Sequence, residues 1–371
     1  MKSSLALNIL SATTVLFLFQ VLQAQAVPTQ NQSFEQWCLQ KDSLPAETRK
    51  TVDAMLKKVG TQDCKLANST LNNLSDLNLS GNQISDLKPI ASLTNLTHLY
   101  LNGNQISDLK PLKSLTKLTD LGLISNKISE IRPLARLNKL TSLLIQANQI
   151  SDIKPLSSLT NLTTLDLGTN QLSDIRPLSS LTNLTELSLS NNKISDIRPL
   201  SSLTNLAWLD LTLALNPSID IKPLSSLTNL TGLRISNNKI SDIRPLSNLT
   251  NLITLDLNSN KIIDINPLSG LKSLTRLDLY GNQIIDIKPL SGLKNLTRLD
   301  LYGNQIIDIK PLSGLKNLTR LDLYGNQIID IKPLSGLTNL TSIGLGDNEI
   351  REKVCPVKPA SVCKFFAHLG N

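Results

Sequence analysis

Apolar residues recur at fixed positions along most of the chain. From Leu74 onward the sequence repeats every 22 residues in the pattern L-x-x-L-x-L-x-x-N-x-I-x-D-I-x-P-L-x-x-L-x-x, where x is mostly polar. A fixed period of this length predicts a solenoid, in which each unit buries its apolar side against its neighbours. There are thirteen units, the last truncated, and they begin at Leu74, Leu96, Leu118, Leu140, Leu162, Leu184, Leu206, Leu230, Leu252, Leu274, Leu296, Leu318 and Leu340.

Each unit is predicted to contain one short strand and one turn. The L-x-L core alternates with the period of a strand, so its leucines face inward and the strands stack into one parallel sheet on a concave face. At about 4.8 Å per strand, thirteen strands make a sheet roughly 60 Å long. The asparagine after the strand can satisfy turn backbone groups, and the D-I-x-P segment predicts a capped 3₁₀ turn on the convex side.

The pattern and its period are those of leucine-rich repeats. The unit resembles the short, 22-residue repeat class of bacterial internalins and related exported proteins, over about residues 74–350. This resemblance implies an α/β horseshoe or arc whose concave face grips a protein partner. The sequence differs from internalins in having no C-terminal L-P-x-T-G motif and no recognisable immunoglobulin-like segment. We therefore do not predict a role in host invasion.

A leader sequence is predicted before the array. Residues 1–26 combine a positive start, an apolar stretch and the A-x-A sequence Ala24-Gln25-Ala26, which is typical of a cleaved signal peptide. The alternative is an uncleaved membrane anchor. Since no later stretch is long and apolar enough to span a bilayer, we expect an exported mature protein without a transmembrane anchor.

Two caps are predicted at the ends of the array at 74–350. Residues 27–73 form the N-terminal cap, with helical spacing at 33–40 and 45–59, Ser43 as a possible helix cap and Gly60 as a stop. Residues 351–371 carry enough apolar side chains to cover the other end. Solenoids need such caps because a terminal repeat has no neighbour.

Four cysteines lie outside the array, two on each side of it. In an oxidising compartment they predict the disulfides Cys38–Cys64 and Cys355–Cys363. A zinc site would require all four in one place, so no metal is predicted. The aspartate of each unit could suggest a calcium site, but a lysine or arginine follows it two residues later in nearly every unit. That alternation favours a capped, solvated face.

Composition limits the function classes. The protein has 37 Lys+Arg against 29 Asp+Glu, a net charge of +8, which favours an acidic partner such as an envelope surface. Nucleic acid is not a predicted partner because the protein is expected to be exported and most basic residues have an acidic neighbour. With two histidines and no G-x-S-x-G, H-E-x-x-H or P-loop sequence, we predict no catalytic residues and no cofactor.

The candidate binding residues occupy the third, fifth and seventh positions of the units, which form the concave face. All five aromatic residues of the array lie there, as anchors of interfaces commonly do. Three near-copied units align arginine, aspartate and tyrosine, which suggests either a binding surface or a self-satisfied Arg–Asp lattice. The predicted partner-binding set is His98, Tyr100, Asn102, Ile124, Leu144, Gln146, Trp208, Arg234, Arg276, Asp278, Tyr280, Arg298, Asp300, Tyr302, Arg320, Asp322 and Tyr324.

One unit breaks the period. The unit at 206–229 has 24 residues, and its turn asparagine moves to Asn216. The two extra residues are predicted to bulge and change the local curvature. They are either a tolerated insertion or a lip beside a binding site, and Trp208 in the same unit favours considering the second.

Three functions fit these observations. The first is an exported module that recognises a protein or peptide on its concave face. The second is a structural or adhesive envelope component, in which repeat length matters more than surface residues. The third, an inhibitor that wraps a secreted enzyme, is a special case of the first. We prefer recognition of a protein or peptide ligand.

Overall fold

The computed structural model describes residues 32–212 and 219–366. The predicted signal peptide at residues 1–26 and the inserted segment around Asn216 lie outside these described residues. His368 also lies outside them.

Fourteen short strands form one open, parallel sheet in which the strands follow chain order. Neighbouring strands pair at equivalent positions of successive units, so Leu277 lies opposite Leu299. The leucine-rich repeat solenoid predicted from the period is therefore confirmed. The strands are β1 Asp76–Asn78, β2 His98–Tyr100, β3 Asp120–Gly122, β4 Ser142–Leu144, β5 Thr164–Asp166, β6 Glu186–Ser188, β7 Trp208–Asp210, β8 Gly232–Arg234, β9 Thr254–Asp256, β10 Arg276–Asp278, β11 Arg298–Asp300, β12 Arg320–Asp322, β13 Ser342–Gly344 and β14 Cys363–Lys364.

One continuous apolar core runs through the stacked units. In the unit that begins at Leu274, the pattern positions Leu277, Leu279, Ile284 and Leu290 have no exposed surface. Equivalent side chains of adjacent units pack on one another from the N-terminal helices to the C-terminal segment. Because each unit supplies only one thin layer of this core, no unit buries its apolar side alone.

In most of the described units, the asparagine after the strand bonds the backbone of two units. The Asn170 amide donates to the carbonyl oxygens of Leu167 at 3.0 Å and Ile145 at 3.2 Å, and its Oδ1 accepts from the Ile150 amide at 3.0 Å. Asn170 is buried, so these backbone groups depend on it for partners. The predicted role is confirmed, and the same bonds recur at Asn104, Asn126, Asn148, Asn192, Asn260, Asn282, Asn304, Asn326 and Asn348.

The return path of each complete unit contains a short 3₁₀ helix, from Lys88–Ile90 in the first unit to Lys332–Leu334 in the twelfth. As predicted, the preceding carboxylate caps it: Asp152 Oδ1 accepts from the Lys154 amide at 2.8 Å. Four units, including the one with Glu130 and Arg132, add an exposed arginine–carboxylate ion pair to this cap. Hydrogen bonds from the arginine side chains lower the aspartate pKa values to about 2 in the pairs Asp174–Arg176, Asp196–Arg198 and Asp242–Arg244.

Three helices precede the sheet: α1 Phe34–Leu39, α2 Ala46–Val59 and α3 Cys64–Asn72. The prediction for Ser43 is wrong, because Pro45 precedes α2 and the Ser43 hydroxyl donates to the Gln40 carbonyl at 2.8 Å. Gly60 does end α2, in the left-handed conformation with φ of 72°. Helix α3 was not predicted. It begins at an aspartate cap, Asp63, whose carboxylate accepts the amides of the first turn.

Both predicted disulfides are present. Cys38–Cys64 joins α1 to α3, and Cys355–Cys363 closes a short C-terminal loop whose second cysteine begins β14. This last strand, which was not predicted, pairs with β13 and extends the sheet beyond the repeats. The disulfides fit an extracellular location. Among the helices in the described residues, none has the length and apolar content needed to cross a bilayer.

Candidate binding surface

We call the surface formed by the third, fifth and seventh positions of the units the sheet face. The third and fifth positions are the two ends of each three-residue strand, and the residue between them is buried, as Leu277 is between Arg276 and Asp278. The seventh position follows the strand by two residues. All the predicted partner-binding residues share this repeating geometry, and their role in binding remains a prediction.

The predicted residues separate into two main groups. One lies on and just after β2–β4, and the other on and just after β10–β12, with Trp208 and Arg234 on the strands between them. The centres of the two groups, β3 and β11, are eight strand spacings apart, which is about 40 Å. The structure therefore does not bring them into one compact site.

The second group forms three parallel rows, which we call the tyrosine block: Arg276, Arg298 and Arg320; Asp278, Asp300 and Asp322; Tyr280, Tyr302 and Tyr324. Strand pairing sets the arginines opposite one another and likewise the aspartates. Because the three units are near-copies, each side chain meets an almost identical environment in the next unit. The rows predicted from the sequence are confirmed.

Asp278 lies at the centre of the charge pattern in this block. Its side chain is 2% exposed, and its Oδ2 accepts from Arg276 Nε at 2.6 Å. Its Oδ1 is 3.8 Å from Arg298 Nε and has no hydrogen-bond partner among the described residues. The Arg–Asp lattice thus balances the charge of Asp278 but leaves one buried oxygen able to accept a further hydrogen bond.

Asp256, on β9, extends the aspartate row and was not among the predicted residues. It pairs with Asp278 on the neighbouring strand. Burial, and to a smaller extent the negative charge of Asp278, raises the pKa of the Asp256 carboxyl. The hydrogen bond from the Asn258 amide opposes this shift, and the charges of Arg234 and Arg276 oppose it less strongly. Applying the fifth-position rule to every unit would have identified it.

The tyrosine rings stack along the row. Tyr280 and Tyr302 have ring centroids 4.7 Å apart and nearly parallel planes, whereas Tyr302 and Tyr324 meet edge to face at 5.1 Å. Tyr280 is 37% exposed. A side-chain hydrogen bond with Asp347 raises the pKa of Tyr324. The rings are held by one another and therefore present a fixed aromatic edge to solvent.

Trp208 packs flat on the neighbouring strand. Its ring occupies the space that a Cβ at residue 232 would fill, so the glycine there is required for this contact. The Arg234 guanidinium lies over the ring at 5.2 Å from its centroid. This cation–π pair is the structural partner of Trp208 on the sheet face. The proposed lip at Asn216 lies outside the described residues.

The first group is centred on His98. Its Nε2 is 3.4 Å from Asp120 Oδ2, and its Nδ1 is 2.8 Å from Thr97 Oγ1. Burial, Asp120 and Asp76 together raise the pKa of Tyr100. Asp76 and Asp120, both missed by sequence reasoning, flank His98 on the adjacent strands.

The remaining residues of the first group are half-buried. The Asn102 side chain accepts from the Ile124 amide at 2.9 Å, so it stabilises the next unit as well as facing outward. Ile124, Leu144 and Gln146 add a mixed apolar and polar surface beside it. The two groups therefore differ in chemistry, as predicted. Across the described ranges, no cluster of three or more His, Cys, Asp or Glu side chains is arranged to hold a metal.

Two family profiles match the chain. One, described as leucine-rich repeats in two copies, matches more than half of it, at residues 72–114, 94–136, 138–180, 228–270, 272–314 and 316–357. A second leucine-rich repeat profile matches residues 160–213. No curated protein matches the sequence at a significant level.

Solved structures support the same assignment. An internalin, InlF, from Listeria monocytogenes has 35% sequence identity and a TM-score of 0.79, and the match covers 87% of this chain and 95% of the internalin. The functional domain of InlJ from the same organism has 23% identity and a TM-score of 0.61, covering 89% of this chain and 79% of that one. At this identity, the match to InlJ shows the fold alone.

A plant peptide hormone receptor, RGFR1 in complex with RGF2, has 21% identity and a TM-score of 0.56. The match covers 76% of this chain and 56% of the receptor chain, and it too shows the fold alone. The repeat profile and the InlF match together establish the family. The chain belongs to the leucine-rich repeat proteins, with repeats of the internalin-like type.

Proposed function

We propose that the protein is an exported recognition module that binds a protein or peptide partner through its sheet face. The tyrosine block is the principal contact. The observation that carries this proposal is the fixed row of partly exposed tyrosine rings beside a buried carboxylate with an unused acceptor. Aromatic and arginine side chains around a desolvated centre are the usual composition of binding hot spots.

The geometry of the tyrosine block favours binding at low entropic cost. Tyr280 and Tyr302 are already stacked, so little side-chain freedom remains to be lost when a partner covers them. Asp278 Oδ1 has no exposed surface, so a donor from the partner would reach it only where the Arg276 or Arg298 side chain turns aside. A partner segment with an apolar side chain beside a guanidinium, ammonium or amide donor fits this pair of features.

The comparisons support the same class of function. The closely matched InlF is an internalin. RGFR1, which shares the fold, is a peptide hormone receptor and was solved in complex with RGF2. The two disulfides agree with export, since such bonds persist in oxidising compartments.

The test is affinity capture with residues 27–371 as bait, from the native medium and cell surface. The parallel variant changes Tyr280, Tyr302 and Tyr324 to asparagine, the residue that the chain itself carries at this position in Asn258. The control variant changes Arg176, Arg198 and Arg244 to lysine in the return paths, away from the sheet face. Circular dichroism and urea unfolding verify that all three proteins fold.

We expect a partner that is held by the wild type and the lysine control and lost by the asparagine variant. Because buried hot-spot aromatics are each worth about 2 kcal/mol or more, three together should lower affinity by at least about a hundredfold. Equal capture by all three proteins, or no capture above background, would overturn the assignment of the tyrosine block.

One observation favours a second candidate, a spacer or adhesin of the cell envelope. Residues 274–295 and 296–317 are identical, and 318–339 differs from them only at Thr338. Copies of this kind extend a solenoid without changing its surface. A spacer would tolerate point changes on the sheet face and respond to the removal of whole units.

A further inference from the structure

Exposed large apolar side chains are concentrated in the last third of the array and the C-terminal segment. In the part of the repeat array that the structure describes, none occurs before Ile253. We call Ile263, Ile285, Ile307 and Ile329, at the twelfth position of four successive units, the isoleucine ridge. The first three are 57%, 53% and 49% exposed, and Ile329 is half-buried.

The fold does not require isoleucine at the twelfth position. Seven earlier units carry serine there and form the same strand, turn and 3₁₀ helix. Their serines are Ser85, Ser107, Ser129, Ser151, Ser173, Ser195 and Ser241. Each isoleucine of the ridge therefore exposes apolar surface that a neighbouring unit avoids, and such surface commonly marks a contact site.

Lysines lie beside the ridge and face the same way. Ile329 and Lys332 line one cavity of about 660 Å³, together with Val354 and Pro356 of the C-terminal segment. This cavity shows that the twelfth and fifteenth positions share a surface, and that the ridge continues past the last complete unit. We call Lys288, Lys310 and Lys332, at the fifteenth position, the lysine row.

A second cavity, of about 390 Å³, is lined by positively charged side chains from adjacent units. Its lining includes Lys288, Lys294 and Lys310 against a single carboxylate, Asp308. No carboxylate oxygen of the described residues lies within 4.0 Å of the ammonium groups in the lysine row. In the earlier units that carry arginine at this position, by contrast, the acidic residue holds the side chain, as Asp196 holds Arg198 at 2.6 Å. The lysine charges are thus available to an external anion.

Val354 extends this surface into the C-terminal segment. It lines the same cavity as Ile329 and Lys332, and it is 73% exposed. Phe366, which is 87% exposed, lies elsewhere, because the pairing of β14 with β13 places it at the seventh position, on the sheet face.

We propose that this edge, formed by the isoleucine ridge, the lysine row and Val354, docks on the surface of an anionic lipid bilayer. The ridge is one side chain wide, whereas a stable protein interface covers about 800 Å² on each partner with matching shape. A bilayer accepts protruding apolar side chains without a complementary shape, and lysines reach the anionic headgroups beside them. The edge shares no residue with the sheet face, so docking leaves the tyrosine block uncovered.

The test is co-sedimentation of residues 27–371 with vesicles of phosphatidylcholine and phosphatidylglycerol, and with vesicles of phosphatidylcholine alone. One variant changes Ile263, Ile285 and Ile307 to serine, which the chain uses at this position elsewhere. Another changes the lysine row to asparagine, as in Asn266. The Tyr280/Tyr302/Tyr324→Asn protein is the matched control on the sheet face. Urea midpoints show whether each variant is folded.

We expect wild type and the tyrosine variant to bind the anionic vesicles and not the neutral ones. The serine variant should lose about tenfold in partition coefficient through lost apolar burial. The asparagine variant should lose about a hundredfold, because each lysine near an anionic surface contributes about fivefold. If the serine variant fails to fold, the asparagine variant decides.

Three outcomes would overturn the proposal. The first is no binding of the wild type to anionic vesicles, or equal binding by the variants. The second is vesicle binding that is unchanged in the serine variant, together with equally tight binding of soluble polyphosphate. That result would indicate a site for polyanions in general. The third is light-scattering evidence of a dimer lost in the serine variant, which would make the edge an interface between copies. None of these results would alter the capture test of the tyrosine block, so the two proposals fail separately.

Discussion

A single buried amide per unit connects neighbouring repeats. The Asn170 side chain donates hydrogen bonds to carbonyl oxygens of its own unit and of the preceding one. It also accepts a hydrogen bond from a backbone amide in the turn of the preceding unit. A leucine or alanine could fill the same space without meeting these polar groups. The asparagine is therefore fixed by hydrogen bonding rather than by volume.

Asn170→Ala should destabilise the protein by about 2–4 kcal/mol, because two or more buried backbone groups lose their partner. Asn183→Ala is the control: that side chain is exposed and makes one bond, to the Thr160 carbonyl at 2.9 Å, so its loss should cost under about 1 kcal/mol. Urea unfolding of the three proteins measures the difference. Similar losses for both variants would contradict a special role for the buried asparagine.

The half-buried Asp256 carboxyl should give the protein a stability that rises as the pH falls. Since burial raises its pKa, the folded protein binds this proton more tightly than the unfolded chain does, and the charged form above that pKa is a cost to folding. Asp256→Asn should therefore stabilise the protein near neutral pH. Its advantage should shrink as the pH falls through the raised native pKa towards the unfolded value.

The measurement is urea unfolding of wild type and Asp256→Asn across that pH range. The Asn side-chain oxygen can still accept from the Asn258 amide, now at 3.0 Å, so the turn is preserved. If the variant is less stable near neutral pH, attraction from Arg234 and Arg276 outweighs the burial cost, and the assigned direction is wrong.

Among the structural elements, the two caps are stabilised by their disulfides to different extents. Cys38–Cys64 closes a separation of 26 residues and joins two helices, whereas Cys355–Cys363 closes only 8. Loop-closure entropy alone predicts about 3.5 kcal/mol for the first disulfide and about 2.5 kcal/mol for the second.

Replacing both cysteines of each pair with serine in turn should show that order in the free energy of unfolding. Trp37 is buried beside Cys38 in α1. In a Trp208→Phe background it is the one remaining tryptophan, so its fluorescence follows the N-terminal cap while circular dichroism follows the whole chain. A larger loss from the Cys355/Cys363 variant would mean that native contacts, rather than loop entropy, set the contributions.

The array was predictable from sequence because the same 22-residue pattern occurs in thirteen units. A position that is ambiguous in one unit can therefore be assigned from the equivalent position in the others. The caps have no such repetition. Helix α3 buries only Ala67 and Leu71, and its remaining residues are mostly polar, so its apolar pattern is too sparse to detect. Two capping signals were available, Asp63 and the Ser33–Gln36 capping box, and would have placed the helix starts.

The candidate site was predictable in position but not in detail. The rows of Arg276, Asp278 and Tyr280 follow from the period, since equivalent residues of stacked units must lie side by side. Which oxygen of Asp278 is left without a donor depends on side-chain rotamers, and no spacing rule fixes those. The packing of Trp208 on Gly232 likewise depends on a pair of adjacent units that differ from the consensus.

At the scale of the whole molecule, the solenoid is held by contacts between neighbouring units. Each strand pairs only with the strands before and after it in the chain. Removing one whole unit should then preserve the register on both sides and leave a shorter, folded protein. This property allows repeat length and surface chemistry to be changed independently, which point variants cannot do.

Deletion of residues 296–317 joins Asn295 to Leu318 and removes one layer of the tyrosine block, while deletion of 162–183 removes an equal length outside it. Both proteins should unfold cooperatively, with a urea m-value lower by about one-thirteenth. If the sheet face recognises a partner, the first deletion should lower affinity for the captured partner at least about tenfold and the second should leave it unchanged. Equal losses from both deletions would favour the spacer, because length would then be what matters. Unchanged binding in both would place the contact elsewhere on the molecule and overturn the assignment of the tyrosine block.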